Sequence, residues 1–273
     1  MKHHAEKFIP IFEDTTTISM GNKRKKNSGN IPETKQTAQP VIGPQLFATG
    51  SFKWMSILVF AFAFGIYFNT VFNDYALDDG IVVTENEYTK KGFSGISEIL
   101  SQETFSSVAG TKNELSGGRY RPLSLVTFAM EYGMFGARPS ISHLVNAILY
   151  AFVCVLLLYL LHLYIFPGSL AAALIATLIF AAHPLHADAV ANIKGRDEVL
   201  CLLLLLASVI FYLSHVKKKN GLILFASIAC FFFSLLAKEN GITFIAVIPL
   251  MLYFFLEKNI KQSLLGAIPF IVT

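Results

Sequence analysis

Charged residues are scarce in this chain of 273 residues: they make up 15% of it, while hydrophobic residues make up 54%. Soluble domains usually carry about a quarter charged residues, so the composition argues against a water-soluble globular protein. The apolar residues fall into blocks of roughly 17–25, a length that matches the hydrocarbon core of a bilayer. Because backbone polar groups in lipid must be paired within the chain, these blocks predict membrane-spanning helices.

Cysteine is rare as well, and its placement excludes two kinds of protein. The three cysteines lie inside apolar blocks, without the spacing of metal ligands, so we expect neither a disulfide framework nor a cysteine-ligated metal. They are Cys154, Cys201 and Cys230. The net charge of +4 is modest and gives no support to a nucleic-acid partner. A signal peptide is not expected, since the first apolar block starts only near Trp54.

The first 50 residues contain no apolar block and no sustained period. They include the basic run Lys23–Lys26, which could be a nuclear or nucleic-acid signal. Since a membrane span follows, we interpret the run as a cytoplasmic flank of that span. The sequence therefore predicts a disordered basic tail at 1–50 and a transmembrane domain at 51–273.

The fold class predicted is an all-α, polytopic transmembrane bundle. Six complete spans are expected, at 54–72, 141–166, 169–182, 198–216, 221–237 and 241–256. A partial seventh begins at Leu264 and is too short to cross a bilayer, so we expect the chain to be an N-terminal fragment of a longer protein.

A long loop is expected at residues 73–138, between the first two spans. Within it, residues 96–105 and 123–135 are expected to form interfacial helices. The second of these segments is apolar, but Glu131, Gly133 and Gly136 argue against a complete span there.

Basic residues predict the orientation of the bundle. If six spans alternate, the runs 23–26, 217–219 and 258–261 fall on one side, and the positive-inside rule places that side in the cytoplasm. The N-terminus would then be cytoplasmic, and the loops at 73–138, 183–197 and 238–240 would share the extracytoplasmic face.

Those extracytoplasmic loops carry most of the candidate site residues. Asp78 and Asp79 are adjacent carboxylates, one of which could act as a general base or hold a metal; a solvated turn is the alternative. Arg119 and Arg121 flank an aromatic residue and suit a phosphate or carboxylate, or else lipid headgroups.

Further candidates lie in the later loops and at the start of the second predicted span. The histidines His183 and His186 stand at i and i+3 and could bind a metal or a phosphate, although no third metal ligand is evident. The other candidates are His143, Lys194, Arg196, Lys238 and Glu239. Several of these residues are cations on the face where cations are usually depleted, and a bound anion would explain them. Asp197 and Glu198 are explained by the start of a helix alone.

Six short motifs in order resemble a known family. They are FNDYALDD at 72–79, YRPLSLVT at 120–127, HLVNA at 143–147, HPLHADAV at 183–190, GRDEV at 195–199 and LAKENG at 236–241. Together they resemble the C-type glycosyltransferase (GT-C) fold, specifically the membrane portion of the O-mannosyltransferases that carry tetratricopeptide repeats, and their bacterial relatives. Members of that family usually have more spans than the six predicted here.

The resemblance implies a polyprenyl-phosphate-linked sugar donor, mannose being one candidate sugar, and a protein or glycan acceptor at the extracytoplasmic face. It places the base, or a ligand of a divalent metal ion, at Asp78 or Asp79, with Asp79 slightly favoured. The cations and histidines would then stabilise the leaving phosphate.

A non-enzymatic membrane protein, such as a transporter component, is the alternative. A transporter is expected to carry polar residues near the middle of its spans. In the predicted spans, His162 is the one clear ionisable residue inside a block, and it lies toward the cytoplasmic end. The gathering of polar residues at one mouth therefore favours chemistry on a lipid-embedded substrate.

Overall fold

The computed structural model describes residues 49–76, 78–104, 106–107 and 119–272. Almost all of the predicted tail at 1–50 lies outside the described residues. The described residues form helices and turns, with no β-strand among them. The expected all-α class is confirmed.

The N-terminal half of the described chain contains one long helix, four short or medium ones and a second long helix. They are α1 (Thr49–Tyr67), α2 (Asp79–Val82), α3 (Glu87–Lys90), α4 (Ile96–Ser101), α5 (Pro122–Phe135) and α6 (Pro139–Leu160). A 3₁₀ turn at Phe68–Phe72 extends α1, and a π turn at Leu161–Ile165 extends α6. The predicted interfacial helices correspond to α4 and α5.

The C-terminal half is also helical. Its helices are α7 (Leu170–Ala181), α8 (His186–Ala191), α9 (Arg196–Lys218), α10 (Gly221–Ala237), α11 (Phe244–Phe255), α12 (Ile260–Leu265) and α13 (Ile268–Ile271). Short 3₁₀ turns at Ile193–Gly195 and Glu239–Thr243 precede α9 and α11.

Within the part of the chain that the structure describes, three helical segments are long and apolar enough to cross a membrane. They are Ser51–Phe72, Pro139–Ile165 and Ile193–Lys218. Four more apolar helices are shorter, at Leu170–Ala181, Gly221–Ala237, Glu239–Phe255 and Ile260–Ile271. The structure therefore describes an integral membrane protein, but it does not confirm the expected count of six spans.

Ring contacts along α1 and α6 show that these two helices run antiparallel. At one end of the α1–α6 pair, the ring of Phe52 stacks on His162 with centroids 5.3 Å apart. At the other end, Tyr67 packs edge-on against Tyr150 at 5.2 Å.

Helices α6 and α9 run parallel instead, because the contacts between them join early residues to early ones and late residues to late ones. The Asn146 side chain donates to the carbonyl of Asn192 at 3.1 Å just before α9 begins, and Lys217 lies 4.4 Å over the ring of Tyr164 near its end. The basic run 217–219 is thus at the opposite end of the bundle from the loops with candidate site residues.

The loop helices pack on a small apolar cluster of their own. Its buried members are Val82, Val83, Ile99, Leu125, Phe128, Ala129 and Ile193. Gly133, interpreted from sequence as an interruption, allows α5 to approach the turn at 92–95: a Cβ there would lie 2.8 Å from the Phe93 ring. The glycine therefore serves close packing within a continuous helix.

Candidate functional site

A cleft of about 800 Å³ opens at the end of the bundle where the loops meet. Its polar lining consists of Asp78, Arg121, His186, Asp188, Asn192, Lys194, Asp197, Glu198, Lys238, Asn240 and Thr243. Its apolar lining includes Tyr150, Val153, Leu185, Val190, Val199, Leu202, Leu205 and Phe244. The volume is in the range of small-molecule sites. The sequence-based expectation that the loops converge on one mouth agrees with this geometry.

The two adjacent aspartates have different surroundings. Asp78 lines the cleft with its side chain 54% exposed, and it forms an ion pair with Lys194. Asp79 is 1% exposed and is not part of the lining. Its carboxylate accepts hydrogen bonds from the backbone N–H groups of Ala76 at 3.1 Å and Lys194 at 2.9 Å. Asp79 therefore joins the first loop to the turn before α9.

That turn is shaped by its own side chains. The Asn192 carboxamide accepts from the backbone N–H of Lys194 at 3.1 Å and caps the turn at Ile193–Gly195. Gly195 allows the turn to lie against the end of α8, because a Cβ at this position would be 2.3 Å from the Ala189 carbonyl oxygen. The sequence thereby fixes the backbone from which the Lys194 side chain extends.

Arg121 occupies a second position in the cleft and is held by two carboxylates. Pro122 begins α5 and disfavours a helical conformation for the residue before it, so Arg121 stands outside the helix. Its guanidinium donates to Asp197 at 2.7 Å and, in bidentate fashion, to Glu239, with its Nε at 2.7 Å from Oε2.

Electrostatics within this trio reinforce the pairing. The hydrogen bonds from Arg121 are the main cause that lowers the pKa of Glu239 to about 2, and Glu239 in turn raises the pKa of Arg121. The Arg121 side chain is 12% exposed, so protein covers most of it. Glu239, expected from the sequence to bind substrate, is paired here with Arg121, and its role toward a substrate stays a prediction.

Lys238 forms a further ion pair in the cleft, with Glu198 in the first turn of α9. Its side chain is 12% exposed, and the partner carboxylate is 49% exposed. The connection after α10 therefore supplies one lysine to the cleft, and the start of α9 supplies its partner.

The predicted histidines are dispersed. His186 lines the cleft, and its pKa is lowered by burial and by the nearby His183. His183 is exposed beside it, with ring centroids 6.0 Å apart, and is not part of the lining. His143 is 2% exposed, and its Nε2 lies 3.5 Å from the Asp74 carbonyl oxygen.

Arg196 lies outside the cleft and is fully buried. Its Nε donates to the Asn146 side chain at 2.7 Å. One terminal nitrogen donates to Thr127 at 3.1 Å and to Glu131. The other terminal nitrogen donates to the Ser142 carbonyl at 3.0 Å and to Glu131 at 3.2 Å. All five N–H donors of a guanidinium are thereby used. We had expected Arg196 to stabilise a phosphate, but this arrangement leaves it no free donor.

Arg119 is also absent from the cleft lining. It is exposed where the described chain resumes, and its carbonyl accepts from the Thr104 N–H at 3.0 Å. The structure thus brings Asp78, Arg121, His186, Lys194 and Lys238 together at the cleft and places the other predicted residues around it.

The cations in loops predicted to be extracytoplasmic have an explanation within the protein. Each of Arg121, Lys194, Arg196 and Lys238 contacts a carboxylate of the chain itself. A bound anion is therefore not needed to account for them. Sequence reasoning missed the partners Asp197 and Glu198, since a helix start was sufficient explanation for both.

The aspartate pair was also considered as a metal site. Both oxygens of Asp79 already accept backbone N–H groups, and Asp78 faces an ammonium group. Among the described residues, no group of three or more histidine, cysteine or acidic side chains is placed to hold a metal ion. The residues as arranged do not fit a divalent ion.

Fold and site together define a helical integral membrane protein with an amphipathic cleft, charged at its mouth and apolar along its wall. The chain is similar to known proteins of one kind. It is 31% identical to protein O-mannosyl-transferase TMTC3 of Mus musculus over 170 residues, which cover 62% of this chain and 17% of the relative.

Two further relatives carry the same descriptive name. Protein O-mannosyl-transferase TMTC1 of Homo sapiens is 40% identical over 99 residues, 36% of this chain and 11% of the relative. Protein O-mannosyl-transferase TMTC4 of Mus musculus is 27% identical over 195 residues, 67% and 25% respectively. The resemblance inferred from the six motifs is thus confirmed, although the matches span only 11% to 25% of these relatives' lengths. No family model matches the chain, and no solved structure matches it.

Proposed function

We propose that this chain is the membrane portion of a glycosyltransferase that transfers a sugar, mannose by analogy with its relatives, from a polyprenyl-phosphate donor to an acceptor hydroxyl. The observation that carries the proposal is the cleft itself, where a carboxylate and two lysines stand at the mouth of an apolar wall. The relatives' names indicate protein as the acceptor class.

The shape of the cleft suits a lipid-linked donor. Along α9 its lining runs from Asp197 and Glu198 at the mouth to Leu202 and Leu205 below. At 1.5 Å of rise per residue, the wall extends about 12 Å into the bundle. A donor with an anionic phosphate and a hydrocarbon chain would place its phosphate near the lysines and its chain along this wall.

The base we propose is Asp78, since its carboxylate faces the cleft and that of Asp79 does not. In the transfer, the acceptor oxygen bonds to the anomeric carbon of the sugar as the bond from that carbon to the phosphate oxygen breaks. The acceptor proton passes to Asp78, and the lipid phosphate leaves with the bonding electrons. Lys194 and Lys238 stabilise the charge on that phosphate. Asp79 and Asn192 hold the backbone of Lys194 in place.

The cleft is proposed to open on the extracytoplasmic side, as the positive-inside rule predicts. Support comes from the placement of Lys217 against Tyr164, at the end of the bundle away from the cleft. The acceptor would then be a protein segment that has already crossed the membrane.

The test is sugar transfer by the intact protein in membranes after Asp78→Asn. Loss of a general base lowers the rate about 10²- to 10⁴-fold, so transfer should fall by that factor while expression persists. Asp74→Asn is the matched control, because its carboxylate is exposed and, among the described residues, accepts a hydrogen bond from the neighbouring Tyr75 N–H alone. Normal turnover in Asp78→Asn would refute the assignment of the base, and normal turnover in the Asp78→Asn/Asp79→Asn double variant would refute the site.

A further inference from the structure

Two lysines of the cleft are held by carboxylates that line the same cleft. Lys194 contacts Asp78, and Lys238 contacts Glu198. In both pairs the carboxylate is about half exposed, at 54% and 49%, whereas the lysines are 24% and 12% exposed. Ion pairs that reach solvent in this way contribute little to stability, so another anion can compete for the lysine.

Lys194 is fixed at its backbone and free to change partners at its end. Its N–H donates to Asp79 at 2.9 Å and to Asn192 at 3.1 Å, which keeps the main chain in place. The ammonium group sits on a flexible four-carbon stem and can reorient without backbone movement. Arg121 differs, because Asp197 and Glu239 hold its guanidinium from two directions.

We propose that the phosphate of a prenyl-linked ligand replaces Asp78 as the ion-pair partner of Lys194, so that the Asp78 carboxylate is released only when the ligand is bound. The inference rests on the proposed function. While the pair is intact, the Lys194 ammonium group occupies a carboxylate oxygen of Asp78 that the acceptor hydroxyl would need. Exchange of partners would therefore link the activity of the base to occupancy of the donor site, and the empty cleft would hold its base in an ion pair.

The experiment measures binding of farnesyl phosphate to the detergent-solubilised chain in a double-mutant cycle. If Asp78 competes with the phosphate for Lys194, Asp78→Asn should tighten binding about two- to fivefold, the equivalent of a solvent-accessible ion pair. In a Lys194→Gln background the same substitution should change the affinity little, because the contested cation is gone. Lys194→Arg should restore most of the effect.

Glu98→Gln is the control for charge removal away from the cleft. It breaks the exposed pair of Glu98 with Lys91, at 3.1 Å, and should leave farnesyl phosphate binding unchanged. Thermal unfolding of each variant would establish that it is folded before its affinity is compared.

The outcomes separate this inference from the function on which it rests. If farnesyl phosphate binds but Asp78→Asn tightens it equally with and without Lys194, simple repulsion explains the effect and partner exchange is wrong. If farnesyl phosphate does not bind the folded chain, the lipid-phosphate site is wrong as well. Inorganic phosphate should bind much more weakly, since it has no contact with the apolar wall, and equal affinity would overturn the prenyl-linked ligand.

Discussion

The buried pair of Arg196 and Glu131 makes the most quantitative prediction of this structure. Arg196 is fully buried, and Glu131 is 8% exposed. Besides the ion pair, the guanidinium lies 4.1 Å over the Phe128 ring, and the Ser142 hydroxyl donates to Glu131 at 2.7 Å. Helices α5, α6 and α9 are therefore joined at one point by a charge that water does not reach.

Removing one member of such a pair leaves the other charge buried without its partner, at a cost of about 3–5 kcal/mol. We expect Glu131→Gln and Arg196→Met each to lower the free energy of unfolding by that amount. The double variant Glu131→Leu/Arg196→Met should cost less than either single change, because apolar residues can replace a buried pair at little net cost.

Reversible unfolding of the purified chain by sodium dodecyl sulfate in mixed micelles would measure these differences. Lys91→Gln is the control, since it breaks an exposed pair with Glu98 and should have almost no effect. The reasoning fails if Glu131→Gln costs no more than this control. It also fails if Arg196→Met weakens farnesyl phosphate binding at unchanged stability, because Arg196 would then be a ligand residue.

Two further predictions concern pH and topology. Because Arg121 lowers the pKa of Glu239 from 4.5 to about 2, the pair stabilises the folded state above the unfolded pKa, and this contribution is lost as pH falls through about 2. Glu239→Gln should remove that part of the acid dependence of thermal unfolding. The effect should be small, since the Glu239 side chain is 57% exposed. A pH profile of thermal unfolding that is unchanged below pH 4 would contradict the pairing. The topology can be tested in a background without the native cysteines. His183→Cys should react with an impermeant maleimide added outside, and Lys218→Cys should react only after the membrane is permeabilised. The reverse pattern would overturn the orientation.

The long helices could be predicted from the sequence because their signal is local. The first, second and fourth predicted spans, at 54–72, 141–166 and 198–216, lie close to the helical segments Ser51–Phe72, Pro139–Ile165 and Ile193–Lys218. An uninterrupted apolar run fixes such a helix without knowledge of its neighbours. The shorter apolar runs left the span count open, since helices of 12 to 17 residues are only about 18–25 Å long.

The pairing of charges could not be predicted in the same way, because it is set by tertiary contacts. Arg196 and Glu131 are 65 residues apart, and Arg121 and Glu239 are 118 apart. From sequence, Glu131 was an interruption of an apolar segment and Arg196 a candidate phosphate ligand. Only the packing of α5 against α9 shows that each is the partner of the other.

The chemistry of arginine and lysine separates the two uses of charge in this bundle. Arg121 and Arg196 each present a planar group of five donors. Asp197 and Glu239 engage Arg121, and Glu131 engages Arg196, all from distant parts of the chain. Lys194 and Lys238 each form one ion pair with a half-exposed carboxylate of the cleft. To bind either arginine, a ligand phosphate would have to break several hydrogen bonds. To bind either lysine, it would have to break only one ion pair. The arginines therefore hold the helices around the cleft in place, and the lysines are the cations for which an incoming phosphate can compete.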